Sequence, residues 1–284
     1  MRRAADHYPH LARTLRPKVL YTDLDGTLFG PGGSLFTSAD GSVTGRAAEA
    51  LAALHRAGIA LMPVSGRTVS QLRETSRLLG TRDFIAELGG ITCYDFETEV
   101  VRAPGSFVRG RTAFEAISAS GTAGFLLDAY PGRIEPHAPW GFEGRETSML
   151  FRGHVDLAEA RDLLERSGYG WVDIQDNGII SRRFPGLETE EVHVYHLAPK
   201  GVDKASAVRA DLARRGLGAG DAVAVGDSPS DAALAPHVAA AFIVANGERA
   251  LDGIVLPENV YLAEGSYGDG FAEAVLGILG SSTG

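Results

Sequence analysis

Six acidic, basic and hydroxyl residues in four short stretches have the types and spacing for phosphoryl chemistry. They are Asp23 and Asp25 in "VLYTDLDGTLFG", Ser65 in "PVSGRT", Lys204 just after "APKGVD", and Asp227 and Asp231 in "GDSPSD". Carboxylates from Asp23 and Asp227 make a hard oxygen site suited to Mg²⁺, and Asp25 and Asp231 complete the acidic set expected around the ion. Asp23 has the means to attack phosphorus and carry an aspartyl-phosphate. Asp25, two residues on, is placed to protonate the leaving oxygen and later to activate water. Ser65 offers a hydroxyl to phosphoryl oxygens, the turn amides of residues 25–27 offer further donors, and Thr27, Gly66 and Arg67 join this phosphate-binding set. Lys204 supplies a compact positive charge for the crowded carboxylates and the transferred group. Only three of the 27 basic residues are lysines, Lys18, Lys200 and Lys204. In a chain that otherwise uses arginine, a lysine marks a place where a slim point charge fits and a wide planar fork does not. Asp231 also reads as an ordinary acid in the first turn of a helix, and Lys200 as a solvated neighbour of Lys204.

These residues need elements to hold them. "KVLYTDL" and "IALMPVS" read as buried strands, and "TGRAAEALAALHRAG" as an amphipathic helix with Thr44 as N-cap and Gly58 as C-cap. "TVSQLRETSRLLG" is the next helix and "DFIAEL" a third strand, with a short hairpin over "ITCYDFETEVV". Strand–helix alternation at short spacing implies parallel strands with right-handed crossovers. It resumes with "DKASAVRADLARRG", "DAVAVG", "PSDAALAPH", "VAAAFIVAN" and a closing helix over "GDGFAEAVLGILG". Asp23 and Asp25, Ser65, and Asp227 each end a strand of this series, and the carboxyl ends of an open parallel sheet form its ligand crevice. One aspartate after a strand is turn chemistry; three coincident polar strand ends argue for a site. "GPGGSLFTSADGS" reads as a flexible loop, and the arginine-rich N-terminus as a short surface helix or loose arm.

Between residues 103 and 198 the texture changes to strands of an open sheet ("TSMLFRGHV", "EVHVYHLA"), a helix ("DLAEARDLLERSG") and a Pro- and Gly-rich loop ("DAYPGRIEPHAPWGFEGRE"). The expected fold class is α/β: a discontinuous Rossmann-like core of residues 1–102 and 199–284, interrupted by an α/β cap of 103–198. The polar residues of the loop, Arg133, His137 and Arg145, are the candidate substrate readers, since an arginine fork suits a hydroxyl or a second anion. His193 and His196 read as structural residues without metal-ligand company, and Asp173 and Asp176 as a surface turn. Trp140 and Phe142 read as local packing.

In order and spacing the four stretches resemble the motifs of the haloacid dehalogenase superfamily: "DLDGT", "SGR", the lysine of the third motif at Lys204, and the acidic "GDSPSD". The inserted α/β unit resembles the type-IIB cap of the Cof-like and sugar-phosphate phosphatase branch. "GRETSML" and "GDGFAEAVLGIL" are similar to segments of mannosyl-3-phosphoglycerate and sucrose-phosphate phosphatases. The resemblance implies a Mg²⁺-dependent phosphatase acting on a phosphorylated sugar or sugar conjugate. The chain departs from the branch at Ser230, where Asn often precedes the last Asp of the fourth motif. A phosphosugar mutase using the same aspartyl-phosphate, or a non-catalytic phospholigand-binding protein, are the rival readings.

The chain has 284 residues and a net charge of −9, without the clustered basic charge that a nucleic-acid surface needs, so the expected partner is a small phosphorylated metabolite. No apolar run has the length to span a bilayer. A single cysteine, Cys93, excludes an intrachain disulfide, and a reducing, cytoplasmic setting is expected. No "GxxxxGK[ST]", "GxGxxG" or "GxSxG" motif occurs, so nucleotide-cradling kinases, dinucleotide dehydrogenases and α/β-hydrolases lack their anchors.

Overall fold

The computed structural model describes residues 1–180 and 182–280. Its centre is a six-stranded sheet in the order Arg2–Arg3, Val260–Leu262, Ala240–Ile243, Ala222–Gly226, Val19–Thr22, Ala60–Pro63, with every pairing parallel. The chain leaves Val19–Thr22 toward one edge and Ala222–Gly226 toward the other. The strand order therefore reverses between these two neighbours, and their carboxyl ends open a crevice.

Period-2 alternation builds a core on each face. Leu20, Leu61, Val223, Val225 and Phe242 point to one face, under the helices Arg46–Ala57 and Tyr267–Leu279. Val19, Tyr21, Met62, Ala224 and Ala241 point to the other, with Val208 and Leu212 of helix Lys204–Arg215. Helix Arg46–Ala57 buries Ala47, Ala50, Leu51 and Leu54, a single stripe at helical spacing, and stops at Gly58, which takes the left-handed conformation of a C-cap. Its N-cap is Gly45 and not Thr44, though the Thr44 hydroxyl still accepts from the Arg46 amide at 3.3 Å while donating to Asp269.

Three other expectations are revised, and one of two alternatives holds. The one that holds is the N-terminal helix, Tyr8–Thr14, with the Tyr8 hydroxyl donating to Glu273; before it Arg2–Arg3 adds an edge strand beside Val260–Leu262. The glycine-rich stretch has a defined course, with a short 3₁₀ turn at Pro31–Gly33 and a bond from Ser38 to Asp269. Strand Phe84–Ala86 pairs antiparallel with Ile91–Tyr94 and meets the main sheet only through a Val64–Ile85 bridge. The helix over "PSDAALAPH" is one turn, Pro229–Ala232, because Pro236 cannot extend it.

Residues 134–199 hold a second, four-stranded antiparallel sheet in the order Val172–Ile179, His193–Pro199, Met149–Gly153, Ile134–Pro136. One face packs Phe151, Ile174, Tyr195 and Leu197 against Ile117, Leu126 and Leu164 of three helices, a hydrophobic cluster separate from the two of the parallel sheet. Asp173 and Asp176 lie in strand Val172–Ile179, not in a surface turn; the run "QDNG" hides a strand that is apolar on one face only. The bare face of this sheet looks onto the crevice.

Candidate active site

Adjacent strands carry the acidic residues to one point. The Asp23 amide donates to the Val225 carbonyl and the Val64 amide to the Thr22 carbonyl, so Asp23, Ser65 and Asp227 leave three neighbouring strands at one level. Gly26 turns the chain just after Asp23 with φ 91°, and a Cβ there would lie 2.2 Å from Asp227 Oδ2. Only glycine lets this turn approach the fourth motif. Asn246 secures it, donating to the Gly26 carbonyl at 2.8 Å and accepting from the Tyr267 amide.

Lys204 enters from the first turn of its helix and is fully buried. Its Nζ donates to Asp23 Oδ1 and to Asp231 Oδ1, each at 2.8 Å. Asp231 is occupied on its other oxygen too, which accepts from the Asp227 and Ser228 amides. Asp23, Asp227 and Asp231 bring carboxylate oxygens within 4.8 Å of one another. Three buried carboxylates thus face one ammonium. Burial pushes Asp23 up to about 7, with Lys204 opposing and Asp231 adding to the rise. Burial and the neighbouring Asp23 carry Asp227 well above the usual carboxylate range. Burial alone would discharge Lys204, but Asp23 and Asp231 outweigh it and hold the ammonium charged.

The expected residues do not all play the expected part. Asp25 is outside the acidic cluster; both of its oxygens are held by Arg67, at 2.7 Å from Nε and 2.6 Å from Nη2. Thr27 is fully buried and donates to Asp227 Oδ1 at 3.2 Å, so it braces an acid and does not line the pocket. Ser65, Gly66 and Arg67 do line it, with Asp23, Asp25 and Asp227. Lys200 pairs with Glu165 at the surface, as its solvated reading requires.

The pocket is a cleft of about 740 Å³ between the parallel sheet's crevice and the antiparallel sheet. From the latter come Asn177 and His196, and from the segments that join its strands His137, Trp140, Arg145 and Ile180. Arg145 is 7 % exposed, far from a solvated loop residue. It donates to the Trp140 carbonyl at 2.8 Å and to the Gly66 carbonyl at 3.0 Å, tying the inserted unit to the second motif. A Cβ on Gly66 would sit 2.5 Å from His196 Nε2 and 3.0 Å from Asn177 Nδ2, so this glycine admits the opposing face. His196 Nδ1 meets Ser148 Oγ at 3.0 Å, while its Nε2 and His137 Nδ1 are buried without partners among the described residues. Burial, helped by neighbouring cations, lowers His137 to about 4 and His196 well below its usual value, so both are neutral near pH 7. Arg133 stands apart, stacked over Tyr130. Trp140 is more than half exposed at the rim, whereas Phe142 does pack, edge-on to Phe114 and Phe151.

Sequence reasoning missed Glu87, Asn177 and Asn246. Glu87 is fully buried and accepts from the amides of Glu146, Thr147 and Ser148 at 2.8–3.1 Å, pinning the inserted unit to the core. A lone acid in an apolar strand end ("FIAEL") was its available signal. Asn177 and Asn246 are isolated amides with no local pattern.

No family model matches the chain. It is 28 % identical over 260 residues to a phosphoglycolate phosphatase of Methanoculleus marisnigri, covering 91 % of this chain and 95 % of the relative. The corresponding protein of Methanopyrus kandleri is 28 % identical over 252 residues, 85 % of this chain and 91 % of that one. Among solved structures, a sucrose-phosphatase from Synechocystis, in complex with sucrose and phosphate, superposes with TM-score 0.61 at 17 % identity, over 93 % of this chain and 98 % of that chain. A haloacid dehalogenase-like hydrolase from Bacteroides thetaiotaomicron gives 0.58 at 16 % identity, over 92 % and 98 %. The fold is that of the haloacid dehalogenase-like hydrolases, and the relatives matched over most of their length are named as phosphatases.

Proposed function

We propose that the chain is a phosphomonoester phosphatase that uses Asp23 as its nucleophile on a small, polar, anionic ester, with 2-phosphoglycolate the first candidate. The observation that carries this reading is the buried Asp23–Lys204–Asp231 array beside Asp227 at the floor of a cleft. Asp23 has one oxygen committed to Lys204 and its other oxygen without a hydrogen-bond partner among the described residues.

In this reading the free Asp23 oxygen bonds to phosphorus as the ester P–O bond breaks, and Asp25 gives the leaving oxygen its proton. Asp25 then takes a proton from water as that water attacks phosphorus, and the Asp23 carboxylate is restored with release of inorganic phosphate. Lys204 keeps the Asp23 oxygens oriented and lowers the charge that the incoming phosphoryl group meets. The Arg67 fork holds both Asp25 oxygens, so it must release them before Asp25 can move protons. The phosphoryl oxygens are the competing anion that draws it away.

The acidic cluster fits a divalent cation on its own chemistry. Three carboxylates against one ammonium leave an excess of buried negative charge, and Asp23 and Asp227 retain oxygens to ligate, while Asp231 is spent on Lys204 and two amides. Such an ion, Mg²⁺ by the all-oxygen donor set, supplies charge neutralisation and orientation of the phosphoryl group.

The preference for a small acid ester rests on the phosphoglycolate phosphatases matched along nearly the whole chain. A sugar phosphate is the second reading; it rests on the segments similar to sugar-phosphate phosphatases, and the distant structural likeness supports the fold alone. The test is phosphate release by the purified chain with Mg²⁺ across 2-phosphoglycolate, hexose phosphates and an aryl phosphate. Release that is fastest on 2-phosphoglycolate and abolished by chelation supports the proposal. Interconversion of hexose phosphates with little release would establish the mutase instead, and no turnover of any ester would leave a binding protein.

A further inference from the structure

A second group of potential ligands lies on the far face of the antiparallel sheet, away from the cleft. His154, Glu191 and His193 bring one ligand atom each within 4.8 Å of one another. The register explains why. Gly153 pairs with His193 across antiparallel strands, so His154 leaves one strand where His193 begins the next, and Glu191, two residues before His193, falls on the same side. His193 was expected to lack such company; the company comes from the neighbouring strand end, which its own sequence context does not show.

We propose that His154 Nδ1, Glu191 Oε1 and His193 Nε2 form a binding site for a transition-metal dication of the Zn²⁺ class, distinct from the carboxylate cluster. Three observations support it. First, His193 is already oriented as metal-bound histidines are: its Nδ1 lies 2.7 Å from Asp176 Oδ2, leaving Nε2 directed at Glu191. Asp176 is itself fixed, its other oxygen accepting from the Gly178 amide at 2.8 Å. Second, His154 Nδ1 is buried and has no hydrogen-bond partner among the described residues, although the rest of the ring is half exposed. A ring nitrogen hidden from water and unpaired gains a partner only from what enters this gap. Third, the spacing is close to that of a loaded site. Zn–N and Zn–O bonds of about 2.0–2.2 Å put neighbouring donors roughly 3.3 Å apart. His193 Nε2 and Glu191 Oε1 are at 3.2 Å, and His154 Nδ1 and Glu191 Oε1 at 3.9 Å.

The donor set decides the class of ion. Two imidazoles with one carboxylate suit Zn²⁺, Ni²⁺ or Co²⁺, whereas the all-carboxylate cluster suits Mg²⁺. Glu191 also reaches out of the inserted unit: its Oε2 pairs with Arg249 of the core segment Ala245–Leu251 at 2.6 Å. An ion held on Oε1 leaves that pair in place, so the site would brace the inserted unit on the core.

The test is equilibrium dialysis of the untagged chain against Zn²⁺ in excess Mg²⁺, which keeps the carboxylate cluster filled. We expect one Zn²⁺ per chain, a rise in unfolding temperature with Zn²⁺, and an affinity at least ~10-fold weaker in His154→Ala and in Glu191→Gln. Asp176→Asn should weaken binding by about 10- to 100-fold, the scale of losing a carboxylate behind a ligating histidine. Asp227→Asn should bind Zn²⁺ as the parent does. His154 sits at the surface, so its alanine variant keeps the fold, which circular dichroism verifies. No stoichiometric Zn²⁺, equal binding by His154→Ala, or loss of binding in Asp227→Asn would each overturn the proposal; the first would mean that the three groups form an ion-pair bridge to Arg249 alone.

Discussion

The two walls of the cleft are built on opposite principles. On the parallel sheet, each charged group has named partners: Lys204 with Asp23 and Asp231, Asp231 with two amides, Asp227 with Thr27, Asp25 with Arg67. On the side of the antiparallel sheet, His137 Nδ1 and His196 Nε2 are buried with no hydrogen-bond partner among the described residues, and Asn177 leans in beside them. An array in which every charged group is tied to at least one partner holds its geometry before any ligand arrives, as a catalytic group must. Unsatisfied buried groups carry a desolvation cost that a ligand's own polar atoms can relieve, which is what a specificity surface needs. On the reading proposed above, the contrast assigns the reaction to one wall and the choice of substrate to the other.

Asp23→Asn is the hardest blow to this division. It removes the attacking charge at constant shape, and turnover should fall by at least ~10³-fold on every ester tested. A loss confined to one substrate, measured as kcat/KM across the panel, would show that the catalytic wall also reads the leaving group.

Two variants of the opposite wall sharpen the contrast. Asn177→Ala should lower kcat/KM for the preferred ester by about 10-fold, the scale of one lost contact, and spare an aryl phosphate. Arg145→Ala should lower both by similar factors, because Arg145 holds the Gly66 carbonyl and so positions the second motif from across the cleft. If Arg145→Ala discriminates between esters and Asn177→Ala does not, their roles are exchanged.

How far each wall could be read in advance follows from the same contrast. Asp23, Ser65, Lys204 and Asp227 sit in short stretches whose strand–turn setting announces them, and parallel-sheet topology then brings them together. Arg145 could be singled out as a polar residue in a Pro- and Gly-rich loop, but not as a buried tie to Gly66. His196, Asn177 and Glu87 act through contacts made by chain segments far apart in sequence. Strand Val172–Ile179 was obscured because its "QDNG" run serves two faces at once: Asp176 holds His193 on one side and Asn177 lines the cleft on the other. Thr27 and Asp25 carried the right chemistry for ligands, yet their first partners are Asp227 and Arg67.

The smallest expected effect is on stability. With its carboxyl raised to about 7 from the usual 3.8, folded Asp23 binds a proton more tightly than the unfolded chain does. Its contribution is therefore complete below about pH 4 and is lost as pH rises through 7. A bound divalent cation removes that loss by taking the proton's place. The gap in unfolding temperature between Mg²⁺-saturated and chelated protein should widen steadily from pH 4 to 7, and differencing cancels the opposing titration of His137, lowered to about 4. A gap independent of pH would place the cation away from Asp23.

The central claim is that the phosphoryl group passes through Asp23. Enzyme quenched in acid during steady-state turnover and reduced with borohydride converts an aspartyl-phosphate to homoserine. The tryptic peptide of residues 19–46 contains Asp23, Asp25 and Asp40, and fragmentation by mass spectrometry distinguishes them. Homoserine at position 23, in the parent and not in Asp23→Asn, is the predicted result. Homoserine at another position, or none while phosphate is being released, would contradict the account.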